Sequence, residues 1–250
     1  MKLTHLFAAS LAALAAVSSF AGGYLRMDKD FADGAPTKKI AFIGDSYVQN
    51  HKGKIPETWH YQYAEGHKYH YLNFGRNGNR VIFPSKGSGP IIAKRFKEIP
   101  ADTDYIVIIA GHNDACAYNR LGGDDKHLDP ATFGPAEKAK IAEMEKTFVE
   151  SLPKFLANLK KSYPKAKIAW VTPWQVEHDH FPETIAAIKA ACAKAGIPCC
   201  DATELTGIAP NDEKTRAKLF QSKTDTAHLN AAGHKLVLPK FTAWLDKALK

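Results

Sequence analysis

The chain alternates short, continuously apolar runs with longer segments in which apolar residues recur every three or four positions. Five segments read as strands: Lys39–Gly44, Tyr69–Gly75, Asp104–Gly111, Lys167–Thr172 and Ile197–Ala202. Tyr105-Ile106-Val107-Ile108-Ile109-Ala110 and Ile168-Ala169-Trp170-Val171 contain no polar alternation, which suits parallel strands covered on both faces. Between and after them the period changes. Ile141, Met144, Phe148, Leu152, Phe155 and Leu159 mark a long helix starting near Pro135, with a kink expected at Pro153. Ile185, Ile188 and Cys192 mark a shorter helix ending at Gly196. Val237, Phe241, Trp244, Leu245 and Ala248 mark a last amphipathic helix, in which Pro239 is expected to introduce a kink or delay the start.

This alternation predicts an α/β fold of three layers around a central, mostly parallel, five-stranded sheet. Right-handed crossovers place the C-terminal ends of the strands on one edge, where open α/β sheets bind ligands. Residues 116–134, rich in Gly, Asp and Pro, read as a loop insertion bordering that edge. No internal repeat or second domain is evident, and 250 residues suit one medium domain.

The N-terminus is set apart from the fold. Lys2 precedes an alanine-rich apolar run from Leu6 to Val17, followed by small residues at Ser19 and Ala21. This pattern predicts a secretory signal peptide over residues 1–21 and a mature domain over 22–250. The run is short for a membrane anchor, and no cysteine follows it to carry a lipid. The expected location is therefore the bacterial periplasm or the medium, with no stable anchor after cleavage. The sequence does not specify an oligomeric state.

The net charge of +8 is spread along the chain, with Lys38-Lys39, Lys94-Arg95, Lys160-Lys161, Lys165 and Lys167 read as solvated faces. No basic stripe or nucleic-acid motif gathers them, so nucleic acid is not an expected partner. Cys116, Cys192, Cys199 and Cys200 do not have zinc spacing. In an oxidising compartment, one bond from Cys192 to Cys199 or Cys200 and buried thiols are both open readings.

The ends of the first three predicted strands carry candidate chemistry. Gly44-Asp45-Ser46 follows the first strand, where Ser46 is a candidate nucleophile and its own N–H a candidate oxyanion donor. Gly75, in Asn73-Phe74-Gly75-Arg76-Asn77-Gly78, ends the second and offers an unobstructed amide. Asn113, in Gly111-His112-Asn113-Asp114, follows the third and offers a neutral N–H pair. Asp225-Thr226-Ala227-His228 supplies a base, His228, and an acid three residues away that can orient it. Alone, each is equally a helix cap or turn. His60, His67, His70 and His178-Asp179-His180 lack a convincing metal-ligand set and read as polar loop residues, and His112 is a candidate to line the site.

Taken in order, Gly44-Asp45-Ser46, Gly75, Asn113 and His228 resemble the signature blocks of the SGNH hydrolases, the GDSL esterase/lipase family, over roughly residues 38–249. Tyr47 stands where the GDSL motif has leucine. The resemblance implies a flavodoxin-like fold, a Ser46–His228–Asp225 triad, and an oxyanion hole of Ser46 N–H, Gly75 N–H and the Asn113 side chain. It implies no metal or organic cofactor, and structural roles for Asp45 and Asp114.

The expected substrate is a small-molecule or glycan ester, with O-acetyl groups favoured. The aromatics Tyr47, Trp59, Tyr61, Tyr63, Tyr69, Tyr71 and Trp174 suit sugar rings, although packing in the core or on its rim is the more common role for any one of them. A lysophospholipase or thioesterase is the alternative within the family. An acyltransferase and a non-hydrolytic glycan-binding domain are the alternatives outside hydrolysis.

Overall fold

A computed structural model describes residues 25–35, 37–123, 128–177 and 180–250. The predicted leader, His178 and Asp179 lie outside the described residues. Strand β1 (Met27–Asp30) is followed by β2 (Lys39–Gly44), helix α1 (Ser46–Gln49), α2 (Trp59–Gly66), β3 (His70–Gly75) and α3 (Ile92–Arg95). Then come β4 (Tyr105–Ile109), α4 (His112–Tyr118), α5 (Pro135–Ser162), β5 (Lys167–Val171) and α6 (Phe181–Ala195). The chain closes with β6 (Cys199–Cys200), α7 (Ala202–Thr206), α8 (Glu213–Leu219) and α9 (Ala231–Ala248).

The sheet has six strands in the order β1-β3-β2-β4-β5-β6. Every pair is parallel except β1 with β3. The five predicted strands are present, β6 reduced to a two-residue rung. The sixth, β1, corrects the predicted count. Its sequence, Met-Asp-Lys-Asp, has no apolar run, and its residues are only partly buried. Backbone pairing alone, Met27 opposite Asn73 through Asp30 opposite His70, makes it a strand.

Two apolar layers explain the continuous runs. Ala41, Ile43, Leu72, Phe74, Ile106, Ile108, Ile168 and Trp170 face Phe148, Leu152 and Phe155 of α5 and Ile188 of α6. The alternate residues Ile40, Phe42, Tyr71, Val107, Ile109 and Val171 face Trp59 of α2 and Phe241 and Leu245 of α9. With both strand faces in a core, neither parity can be polar.

Helix α5 is one element through Pro153, and α9 one element through Pro239. The latter starts well before its proline because Asn230 caps it, accepting a bond from Gly233 N–H at 2.9 Å. Helix α6 ends at Gly196, whose φ of 63° is the left-handed geometry of a helix stop. All four cysteines are thiols. The Cys192 thiol bonds with that of Cys199, and this contact and burial push its pKa up.

Candidate active site

Strand β2 runs into α1 with only Asp45 between them. Gly44 is required there, since a Cβ would stand 2.0 Å from the Ile109 carbonyl of the neighbouring strand. Asp45 caps α1 by accepting from Tyr47 N–H at 2.9 Å. Ser46 is thereby fixed as the first helical residue, with its hydroxyl on the rim formed by the strand ends. Burial pushes the Asp45 carboxyl up to about 7 despite the Tyr47 amide bond, which pulls it down.

His228 reaches that hydroxyl from the other side of the rim. Its Nε2 lies 2.8 Å from Ser46 Oγ, and its Nδ1 lies 2.9 Å from Asp225 Oδ2. The other carboxylate oxygen, Oδ1, accepts from the Ala227 and His228 amides, both at 2.8 Å. A carboxylate facing Nδ1 holds the proton there and leaves Nε2 as the acceptor for Ser46 Oγ–H. Burial alone would raise the Asp225 pKa, but the His228 bond and the two amides outweigh it and hold the carboxyl at about 2. Trp174 secures the turn, donating its Nε1–H to the Ala227 carbonyl at 2.8 Å.

Asn113 lies in the first turn of α4, beside Ser46's loop. Its Nδ2 donates to Asp45 Oδ2 at 3.3 Å and to the Asn79 carbonyl at 3.2 Å, both long bonds. Its neighbour Asp114 is fully buried and accepts from Val81 and Ile82 N–H at 2.7 and 3.0 Å. Burial raises the Asp114 carboxyl to about 6, against those amides. Asp114 thus pins the segment that follows Asn79 against α4.

Gly75 departs from expectation. Its N–H donates to the Asn73 side-chain oxygen at 2.8 Å, so the amide expected to meet an oxyanion is already occupied. Its role is close approach, because a Cβ would fall 2.3 Å from Gln49 N in α1. The Gly78 N–H, by contrast, has no acceptor among the described residues. Gly78 has φ +71° and directly precedes Asn79, the residue bonded to Asn113.

The aromatic residues are also redistributed. Trp59, Tyr63, Tyr71 and Trp174 are buried, and Tyr61 and Tyr69 pack against the same core. Of the seven, Tyr47, Trp59 and Trp174 stand beside the triad, Tyr47 half-buried with its ring 6.2 Å from those of both Trp174 and His228 and its hydroxyl 3.3 Å from His112 Nδ1. Of the histidines expected in loops, His60 is instead buried in α2 with its Nδ1 3.0 Å from the Tyr71 hydroxyl, His70 lies in β3, His67 pairs with Asp246 and His180 with Glu145.

Two participants escaped sequence reasoning. His51 stacks on His228 and carries no motif. Arg95, read as part of a solvated basic pair, is only 2 % exposed. Its signal was a cation at the end of a segment with buried Ile92 and Phe96, which a helical wheel places inward.

A void of about 10 Å³ lies beside Ser46, walled by Tyr47, Trp59, Trp174 and His228. That is space for about one water. A larger apolar groove of about 820 Å³ runs between α5 and α6, around Val149, Pro153 and Ala187, and includes no residue of the triad.

Comparison with known proteins follows from this geometry. A family model described as GDSL-like lipase/acylhydrolase matches residues 42–236. No curated protein matches. Among solved structures, a protein of Lactobacillus plantarum is similar at 22% identity and TM-score 0.65, over 84% of this chain and 97% of that one. A family two carbohydrate esterase from Clostridium thermocellum, in complex with cellohexaose, is similar at 16% identity and TM-score 0.55, over 85% of this chain and 64% of that one. A member of the lipolytic protein G-D-S-L family from Veillonella parvula is similar at 16% identity and TM-score 0.51, over 82% and 96% of the two chains. Identities this low speak for the fold. The family match spans β2 to α9 and takes in Ser46, Asn113, Asp225 and His228, and so the chain belongs to the GDSL-like lipase/acylhydrolase family.

Proposed function

We propose that this ester-bond hydrolase is an exported esterase that removes small acyl groups, O-acetyl foremost, from carbohydrate or other small esters. The observation that carries the size preference is the void of about 10 Å³ at Ser46, closed by Tyr47, Trp59 and Trp174. The buried aromatics no longer argue for sugar, so the carbohydrate reading rests on Tyr47 at the rim and on similarity to the cellohexaose-bound esterase. Export, to the periplasm or beyond, rests on the leader pattern in residues 1–21.

In this reading, Ser46 Oγ attacks the acyl carbon while His228 Nε2 takes its proton. Asp225 stabilises the resulting imidazolium and does not itself take a proton. Negative charge on the carbonyl oxygen is met by Ser46 N–H, Gly78 N–H and Asn113 Nδ2, which exchanges its two long bonds for the stronger acceptor. His228 then protonates the leaving alcohol. Water attacks the acyl-enzyme, losing its proton to His228, which returns it to Ser46 as the acid departs.

The test is hydrolysis of p-nitrophenyl acetate, butyrate and decanoate, with Ser46→Ala as control. Ser46-dependent activity that falls steeply with chain length is expected. Preference for decanoate would overturn the small-acyl reading. Unchanged activity in Ser46→Ala would overturn the triad.

A further inference from the structure

We propose that Arg95 is a positioning residue that fixes the nucleophile strand and the oxyanion loop relative to each other. The proposal builds on the esterase reading above.

Arg95 Nη2 donates to the Gly44 carbonyl at 2.8 Å and to the Phe74 carbonyl at 2.7 Å. Its Nε donates to Asn79 Oδ1 at 2.7 Å. These acceptors lie on three different segments, and each adjoins the reacting groups. Gly44 is two residues before Ser46. Phe74 is the penultimate residue of β3, the strand that leads into the 76–79 loop. Asn79 follows Gly78, and its carbonyl accepts from Asn113 Nδ2 at 3.2 Å. One side chain thereby connects the nucleophile, the loop and, through Asn79, the Asn113 amide.

The bonding is more elaborate than neutralising a charge requires. The Glu98 carboxylate stands 3.7 Å from Nη1, beyond a good hydrogen bond. The short bonds go instead to two carbonyls and an amide oxygen. A planar guanidinium presents donors in a fixed fork, so it sets directions as well as distances, whereas a lysine ammonium is a rotatable point charge. The Gly44 carbonyl also accepts from Arg76 N–H at 3.1 Å, so strand end, loop and guanidinium converge on one oxygen. Asn79 is itself held from behind, its Nδ2 donating to the Pro90 carbonyl at 2.9 Å.

Placement errors of about 1 Å are costly to catalysis when donors must meet charge only as it develops. A residue that sets the separation of Ser46 from the 76–79 loop should act on acylation far more than on ground-state binding.

The experiment compares wild type, Arg95→Lys, Asn79→Ala and the double variant. Each is assayed well below its own melting temperature for the p-nitrophenyl acetate acylation burst, for KM, and for hydrogen exchange over residues 44–46 and 75–79. Arg95→Lys is expected to slow acylation about tenfold or more while KM stays within about twofold. Asn79→Ala, which leaves the guanidinium and its carbonyl bonds, should slow it less. The double variant should be no slower than Arg95→Lys, because both changes break the same bond. A folded Arg95→Lys with normal acylation would overturn the proposal, as would losses that simply multiply in the double variant. If Arg95→Lys does not fold, Asn79→Ala decides, and a normal burst with unchanged exchange would overturn it. An enzyme whose wild type neither acylates nor labels at Ser46 with a fluorophosphonate refutes the esterase reading. Exchange then tests the positioning, and protection in Arg95→Lys equal to wild type would overturn it.

Discussion

His51 lies face to face with His228, the ring centroids 4.5 Å apart and the planes 21° from parallel. The stack is built by two consecutive residues in the left-handed region, Asn50 with φ 64° and His51 with φ 35°, directly after the nucleophile helix. Burial, then His228 and Lys52, lower the His51 pKa, while Asp225 opposes them weakly. A neutral ring over His228 tolerates the imidazolium that forms during acylation; a charged one repels it. His51→Phe should keep near-normal kcat at pH 7.5. His51→Lys should lose about fivefold, the cost of a like charge about 4 Å away in water-like surroundings. Equal rates in the two variants would show that the stack has no electrostatic role.

Trp174→Phe removes the indole N–H that holds the Ala227 carbonyl and keeps the apolar packing against Phe220 and Phe241. The base turn should lose its alignment with Ser46, lowering kcat about tenfold with little change in KM. An unchanged kcat would show that Asp225 alone suffices to set His228.

Asn113→Ala should lower turnover about a hundredfold or more, the scale of one lost oxyanion donor. Steady-state kinetics checks this. A near-normal rate would leave the Ser46 and Gly78 amides as the whole hole.

Gly75→Ala should damage the fold more than the chemistry. The added Cβ would stand 2.3 Å from Gln49 N and 2.6 Å from Val48 C, both backbone atoms of α1 that cannot swing aside. A loss of about 2 kcal/mol or more is expected from such overpacking, read from denaturant unfolding. A stable variant would mean that α1 is not seated on β3 as described.

Together with His60, which burial holds well below the usual histidine range, His234 makes the fold acid-sensitive. It is buried, with Nδ1 3.4 Å from Trp59 N–H and Nε2 3.3 Å from Asn50 Oδ1, and burial first, then His228, lower its pKa from 6.5 to about 3. Between these values the unfolded chain binds a proton that the folded form does not, so stability falls as pH drops from 6.5 towards 3. Asp45 works in the opposite sense. Raised from 3.8 to about 7, it favours the fold most at low pH and loses that contribution as pH rises through this window. His234→Gln keeps a donor and an acceptor without titrating. Its melting temperature should fall less than that of wild type between pH 6.5 and 4. Parallel curves would refute the assignment.

Sequence pattern revealed what is repeated and hid what is singular. The apolar runs of β2, β4 and β5 were legible because burial on both faces forbids polar residues. Strand β1 was not, since an edge strand of Met, Asp and Lys is defined by main-chain pairing that composition does not record. Ser46 and Asn113 were legible as motifs that follow strand ends and Asp225 and His228 as an acid and base three residues apart, and the structure brings them together. Gly75 was assigned a hydrogen-bonding task when its lack of a side chain is what the packing needs. Which amide is occupied depends on the rotamer of Asn73, and a one-dimensional pattern cannot supply that. Trp174 and Arg95 were misplaced for a related reason: an indole suits a sugar and a cation suits water, until tertiary contacts give each a carbonyl to hold.

The two oxygens of Asp225 divide their work, one gripping the amides of its own turn and the other the imidazole. Acid and base therefore form a cassette whose own bonds close within residues 225–228 and which Trp174 ties to the rest of the fold. The acceptor side is the reverse, assembled from segments near residues 44, 78, 95 and 113 that meet only in the finished fold. An insertion upstream or downstream of the cassette moves it as one body, so the base either docks with its tautomer intact or misses the serine altogether. Change on the acceptor side degrades by increments. Displacement of the whole histidine turn should abolish activity, whereas change in the oxyanion loop should lower it by degrees.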